Sequence, residues 1–137
     1  MTDYIKIGGK AYDVIVESVE ETFNNLYGED TGRTLGEGAP MFLQPLGTFF
    51  GHKIVFRRKP GSEQEYDELY NFFAKPRSMG FMVDLVHDQT TINYSAYASN
   101  GGRTLQRIDE KTGKVYWESM TINFVPIEAY YKPSEIY

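Results

Sequence analysis

Two histidines, His52 and His87, are the side chains of this sequence best suited to moving a proton or holding a metal near neutral pH. They fall in separate predicted strands, and no H-E-x-x-H or other paired-ligand spacing joins them. Ordinary hydrogen bonds at strand ends are their expected role. His87-Asp88 would orient an imidazole for Ser95 or Ser99 as nucleophile, but neither serine lies in a G-x-S-x-G elbow. Glu63, Glu65, Asp67 and Glu68 crowd one segment and read as a solvated face with capping duty. A glycosidase pair needs two carboxylates facing across a cleft. Trp117 with Tyr94, Tyr97 and Tyr116 would supply a sugar-stacking platform, yet Tyr116 and Trp117 are neighbours in a strand and point to opposite faces. Arg33, Arg57, Arg58 and Arg103 are scattered and read as solvated or interface ion pairs. The expectation is no catalytic residue, no cofactor and no metal.

Composition narrows the function classes further. The chain has 137 residues, no cysteine, and 14 basic against 19 acidic residues, for a net charge of −5 and a pI near 5.0. Disulfides and thiolate metal sites are excluded. The acidic balance argues against nucleic-acid binding, which needs a basic surface to neutralise phosphates. The start, MTDYIKIGG, has no signal-peptide pattern, and no apolar run approaches a membrane span. The length suits one domain over residues 1–137. Eleven Tyr and nine Phe, with many glycines and β-branched residues, suit a sheet protein.

One segment reads clearly as a helix, at about 62–75. Ser62 is the expected N-cap, and Glu65 three residues later completes a capping box. Tyr66, Leu69, Tyr70 and Phe73 follow as one apolar stripe at i, i+3, i+4, i+7. Pro76 disfavours helical geometry at Lys75. Strands flank this helix. Tyr4–Ile7, a Gly8-Gly9 turn and Lys10–Phe23 predict a hairpin with unequal arms. Strands follow over His52–Arg58, with Ile54 and Phe56 on one face, and over Gly80–His87 and Thr90–Ala98. Ser99–Gly102 reads as a turn, Arg103–Ile108 as a strand, Asp109–Lys114 as a polar turn, and Val115–Val125 as the last strand. Asn24–Pro40 breaks the pattern with four glycines and few core candidates. It reads as a long loop or open β-arm at about 24–40, with Gly28, Glu29, Asp30, Gly32, Arg33, Gly36 and Gly38 as its assembly residues. It carries no G-x-G-x-x-G or G-x-x-x-x-G-K-[ST] phosphate loop. The predicted fold is mainly β (α+β): a two-sheet antiparallel β-sandwich or barrel around one amphipathic helix.

This order, strands, glycine-rich loop, strand, single capped helix and two hairpin-like strand pairs, resembles the phage tail-tube fold. The resemblance is carried by FFGHKIVFRRKPGSEQEYDELYNFFAKP, GFMVDLVHDQTTINYSAYAS and the closing WESMTINFVPIEAYY. The middle run looks like small tail-associated proteins of Gram-positive prophages, and the closing run is similar to the end of the distal-tail N-terminal domain. The resemblance implies a structural subunit of a phage or phage-like tail, in the tube, the tube–baseplate junction or the distal tail ring. It implies a self-assembled ring, hexameric by analogy, with other tail proteins as partners, no specific nucleic-acid or membrane binding, and residence in the virion tail after synthesis in the host cytoplasm. The alternative from another class is a small carbohydrate- or protein-binding β module.

Overall fold

The structure, a computed structural model, describes residues 5–29 and 31–132. Among the described residues it is mainly β, antiparallel throughout its ladders, with a single helix. The strands are β1 (Lys6–Ile7), β2 (Ile15–Tyr27), β3 (Gly32–Arg33), β4 (Met41–Phe42), β5 (Pro45–Arg57), β6 (Phe81–His87), β7 (Thr90–Gly102), β8 (Leu105–Ile108), β9 (Val115–Trp117) and β10 (Met120–Pro126). Helix α1 spans Glu63–Ala74, between β5 and β6. Six strands form the main sheet in the order β1-β6-β7-β10-β5-β2, and β3–β4 and β8–β9 form two small ribbons. No closed barrel forms, which corrects the barrel alternative. Among the described residues β1 and β2 are the sheet's edges, and no ladder joins β2 to the β1–β6 side.

The helix sits where its stripe requires. Tyr66, Leu69 and Phe73 are buried against Ile54 and Phe56 of β5, Val83 and Leu85 of β6, Ile92 of β7 and Met120, Ile122 and Phe124 of β10. These strand residues alternate along each strand, so one face of the sheet is core. Phe73, Phe81 and Phe124 meet with ring centroids 5.4–6.3 Å apart. Tyr70 is only partly buried, at the margin of the stripe. Lys75 leaves the helix in extended geometry (φ −88°, ψ 112°), as Pro76 demands.

Several expectations are corrected. Ser62 occupies the N-cap position but makes no side-chain cap, so the capping box does not form. Its hydroxyl instead donates to Asp13, which also holds Lys59. A long-range carboxylate outcompetes the local backbone donor. The Gly8-Gly9 turn is real, with both glycines at positive φ, but it closes only an Ile7–Lys10 bridge. β1 pairs with β6 and β2 pairs with β5, so the expected first hairpin is absent. Ser99–Gly102 is not a turn: β7 continues through it to pair with β10. There a Cβ on Gly101 would lie 2.9 Å from Ile122 Cδ1, so glycine here admits close packing rather than a reversal. The last strand divides at Glu118-Ser119, where the chain passes from the β8–β9 ribbon into the main sheet.

Candidate functional site

Two regions stand out: a polar cluster inside the sheet and the long β2–β5 hairpin. The cluster follows from strand parity. His52 lies on the same face of β5 as Ile54 and Phe56, and Glu21 of β2 is directly opposite it. Tyr94 shares the inner face of β7 with Ile92 and Ala96, and His87 shares that of β6 with Val83 and Leu85. The sheet curls until these groups meet. His52 Nδ1 is 2.9 Å from the Tyr94 hydroxyl, and Nε2 is 3.1 Å from both the Val86 carbonyl and Glu21 Oε2. His87 Nδ1 lies 2.6 Å from the same Glu21 oxygen, and its Nε2 is 3.5 Å from Asp88 Oδ2. β2 and β6 are not sheet neighbours, so Glu21 spans the open seam that a barrel would close with a ladder.

The partners assign the His52 tautomer. Val86 offers only an acceptor, so Nε2 carries the proton and Nδ1 accepts from the Tyr94 O–H. Among the described residues no buried side-chain polar atom lacks a partner. Burial pushes His52 below the usual histidine range, against the opposing pull of the Val86 carbonyl and Glu21. Burial, reinforced by the Glu21 charge, pushes the Tyr94 hydroxyl well up. Hence both groups are neutral at pH 7. The chemistry expected of each candidate nucleophile is not assembled: Ser95 Oγ lies 2.9 Å from Met82 Sδ rather than against His87. Among the described residues no group of three or more His, Asp or Glu side chains is placed to hold a metal. His52 Nε2 is already committed to a backbone carbonyl.

The second region is the arm. β2 and β5 pair along nearly their full length, from Ile15↔Arg57 to Tyr27↔Pro45. Asn24–Tyr27, expected in a long loop or open β-arm, belong to β2. Beyond them Gly28 N–H donates to the Gln44 carbonyl, and Gly32-Arg33 pair with Met41-Phe42 as the β3–β4 ribbon. Arg33 Nη1 donates to the Ala39 carbonyl. Gly36 and Gly38 form the tip, with Gly38 at φ +80° and Ala39 also at positive φ. Glu29 is exposed, and Asp30 lies outside the described residues. The segment is thus a β-arm. Its large apolar side chains face solvent: Leu35 is fully exposed, Phe23 is 68% exposed and Phe42 is 60% exposed.

The aromatic residues weighed as a platform around Trp117 are dispersed. Tyr94 is in the seam. The Arg103 guanidinium lies 4.1 Å from both the Trp117 and Tyr70 ring centroids and pairs with Asp67 at 2.6 Å. Tyr116 is approached by Arg58 at 4.7 Å and Arg107 at 4.2 Å. Arg58 and Arg103 clasp the β8–β9 ribbon to the sheet and helix, while Arg107 packs within the ribbon. Sequence reasoning missed the seam because its members come from four strands. The available signal was parity: His52 and His87 both fall on the apolar phase of their strands.

Compared with known proteins, the chain matches no family model and no curated protein.

Proposed function

We propose that this chain is a non-enzymatic structural subunit of a bacteriophage or phage-like tail, working in the tube, the tube–baseplate junction or the distal tail ring. Its partners are further copies of itself and other tail proteins, arranged around the DNA conduit in the virion tail. The observation that carries the assembly reading is the mismatch between arm and helix. Thirteen residues of β2 extend about 43 Å, at ~3.3 Å per residue. Twelve residues of α1 extend only about 18 Å, at ~1.5 Å per residue. The helix is thus less than half as long as the strand. The arm presents Phe23, Leu26, Phe42 and Leu43 to solvent. Among the described residues the outer edge of β2 also pairs with no strand.

A neighbouring copy covers both features at once. In a ring the arm meets a different face of the neighbouring copy, a head-to-tail contact, and head-to-tail contacts that close give rings. Net charge supports the conduit: an acidic chain passes DNA without gripping it. The tail assignment itself comes from the resemblance in element order. Electron microscopy of the native particle, or of the purified protein at high concentration, tests it. Density for this chain in a ring around a tail axis is the expected result. A strict monomer that is absent from any particle and binds a glycan overturns it.

A further inference from the structure

We propose that Glu21, His52, His87 and Tyr94 form a proton-operated latch that holds the β2 side of the arm against β6 at neutral pH and lets it go in acid. The latch is independent of ring assembly and rests on the seam's geometry. With the His52 imidazole neutral, both its nitrogens have partners: Tyr94 O–H donates to His52 Nδ1 and His52 Nε2–H donates to the Val86 carbonyl, while His87 Nδ1–H donates to Glu21. The titratable groups that face the two rings are Glu21 from β2, Asp88 from the turn after β6, and Tyr94 from β7. β10 contributes apolar Phe124 opposite His52, and the neighbouring Lys53 points to the other face of β5.

A proton on His52 goes to Nδ1, the atom that accepts from Tyr94. The tyrosine hydrogen then loses its acceptor in a buried position. The closed seam therefore refuses a proton that the open seam accepts. Burial holds the folded His52 below its ordinary value of 6.5. The stability it contributes is complete above that value and is lost as pH falls through the folded one.

Hydrogen exchange of the whole chain at pH 7.5 and 5.5, corrected for intrinsic rates, tests the latch. Protection of peptides covering β2 and the end of β6 should fall between those pH values by up to about tenfold, the limit for one histidine with an open-state value near 6.5. The β8–β9 ribbon should hold its protection. His52→Gln keeps an acceptor for Tyr94 and a donor for Val86 but does not titrate, so its seam should change less than about twofold over the same interval. Should that variant fail to fold, His52→Asn decides, because it too lacks a titrating group and should flatten the same pH response. A seam insensitive to pH, a fall spread evenly over the chain, or a fall that persists in the folded variants overturns the latch.

Discussion

Strand β5 runs through two different environments. From His52 to Arg57 it alternates between buried His52, Ile54 and Phe56 and outward-facing Lys53, Val55 and Arg57. From Pro45 to Phe50 it has the same ladder to β2 but no helix above it, and Leu46 is exposed. A second ladder, to β10, runs only from His52 to Phe56, and in the other half a single bridge joins Thr48 to Tyr131. The partner for the inner face differs as well: α1 in one, solvent, Tyr130 and Tyr131 in the other. Phe50 shows the boundary, with its ring 5.0 Å from His87 and 5.7–5.9 Å from the two tyrosines. Ladder pairing sets a strand's shape, and burial sets where it contributes to stability. The helix-covered half is the folded core. The arm is built to the same pattern and left for another surface.

The largest expected effect breaks the covered half. Leu69 is fully buried on the helix, so Leu69→Ala should cost about 2–5 kcal/mol, read as a lowered denaturation midpoint at unchanged slope. A melt identical to the parent's would remove the stripe from the core. At the boundary, His52→Ala deletes a buried ring and strands both the Tyr94 hydroxyl and the Val86 carbonyl. A loss of about 2–3 kcal/mol is expected in urea titration at pH 7.5. A neutral result would mean that the seam does not hold the two sides together.

The comparison sharpens on the arm. Phe23→Ser and Phe42→Ser should change monomer stability by less than about 0.5 kcal/mol, because both rings are already in water. Sedimentation at high concentration should nevertheless show weakened self-association. Destabilisation comparable to Leu69→Ala would make the arm a second core. The smallest effect concerns Asp13, whose carboxyl is held below the usual range first by the Ser62 hydroxyl and then by Lys59. Its contribution is present above pH 3.8 and lost as pH falls through the lowered folded value. Stability curves of the parent and Asp13→Asn should therefore converge in strong acid and separate above it. A constant offset across that range would assign the effect to packing.

The helix was legible because its signals are local: the apolar spacing of Tyr66, Leu69 and Phe73, and the stop at Pro76. Its cap was not, because Asp13 from a distant segment captures Ser62. Inner-face residues of β5, β6 and β7 were legible from alternation. The pairing of β1 with β6 was not, since a Gly-Gly turn reports a reversal without saying where the chain goes next. The arm was visible as a glycine-rich break, but its strands extend further than composition suggests, because Asn24 and Asn25 gain ladder partners in Phe49 and Thr48. The seam depends on the curl of the whole sheet, which no period-2 pattern encodes.

The central claim is that the arm is uncovered in the subunit because a neighbour covers it. Deleting Gly28–Gly38 together with Phe23→Ser and Phe42→Ser removes the tip and the exposed rings and leaves the β2–β5 ladder and the helix-covered core in place. Sedimentation velocity of that variant beside the parent, with thermal melts of both, measures the claim directly. The account predicts an unchanged melting midpoint and a monomer at concentrations where the parent forms rings. Rings of normal size from the deleted chain, or a deleted chain that no longer folds, would contradict it.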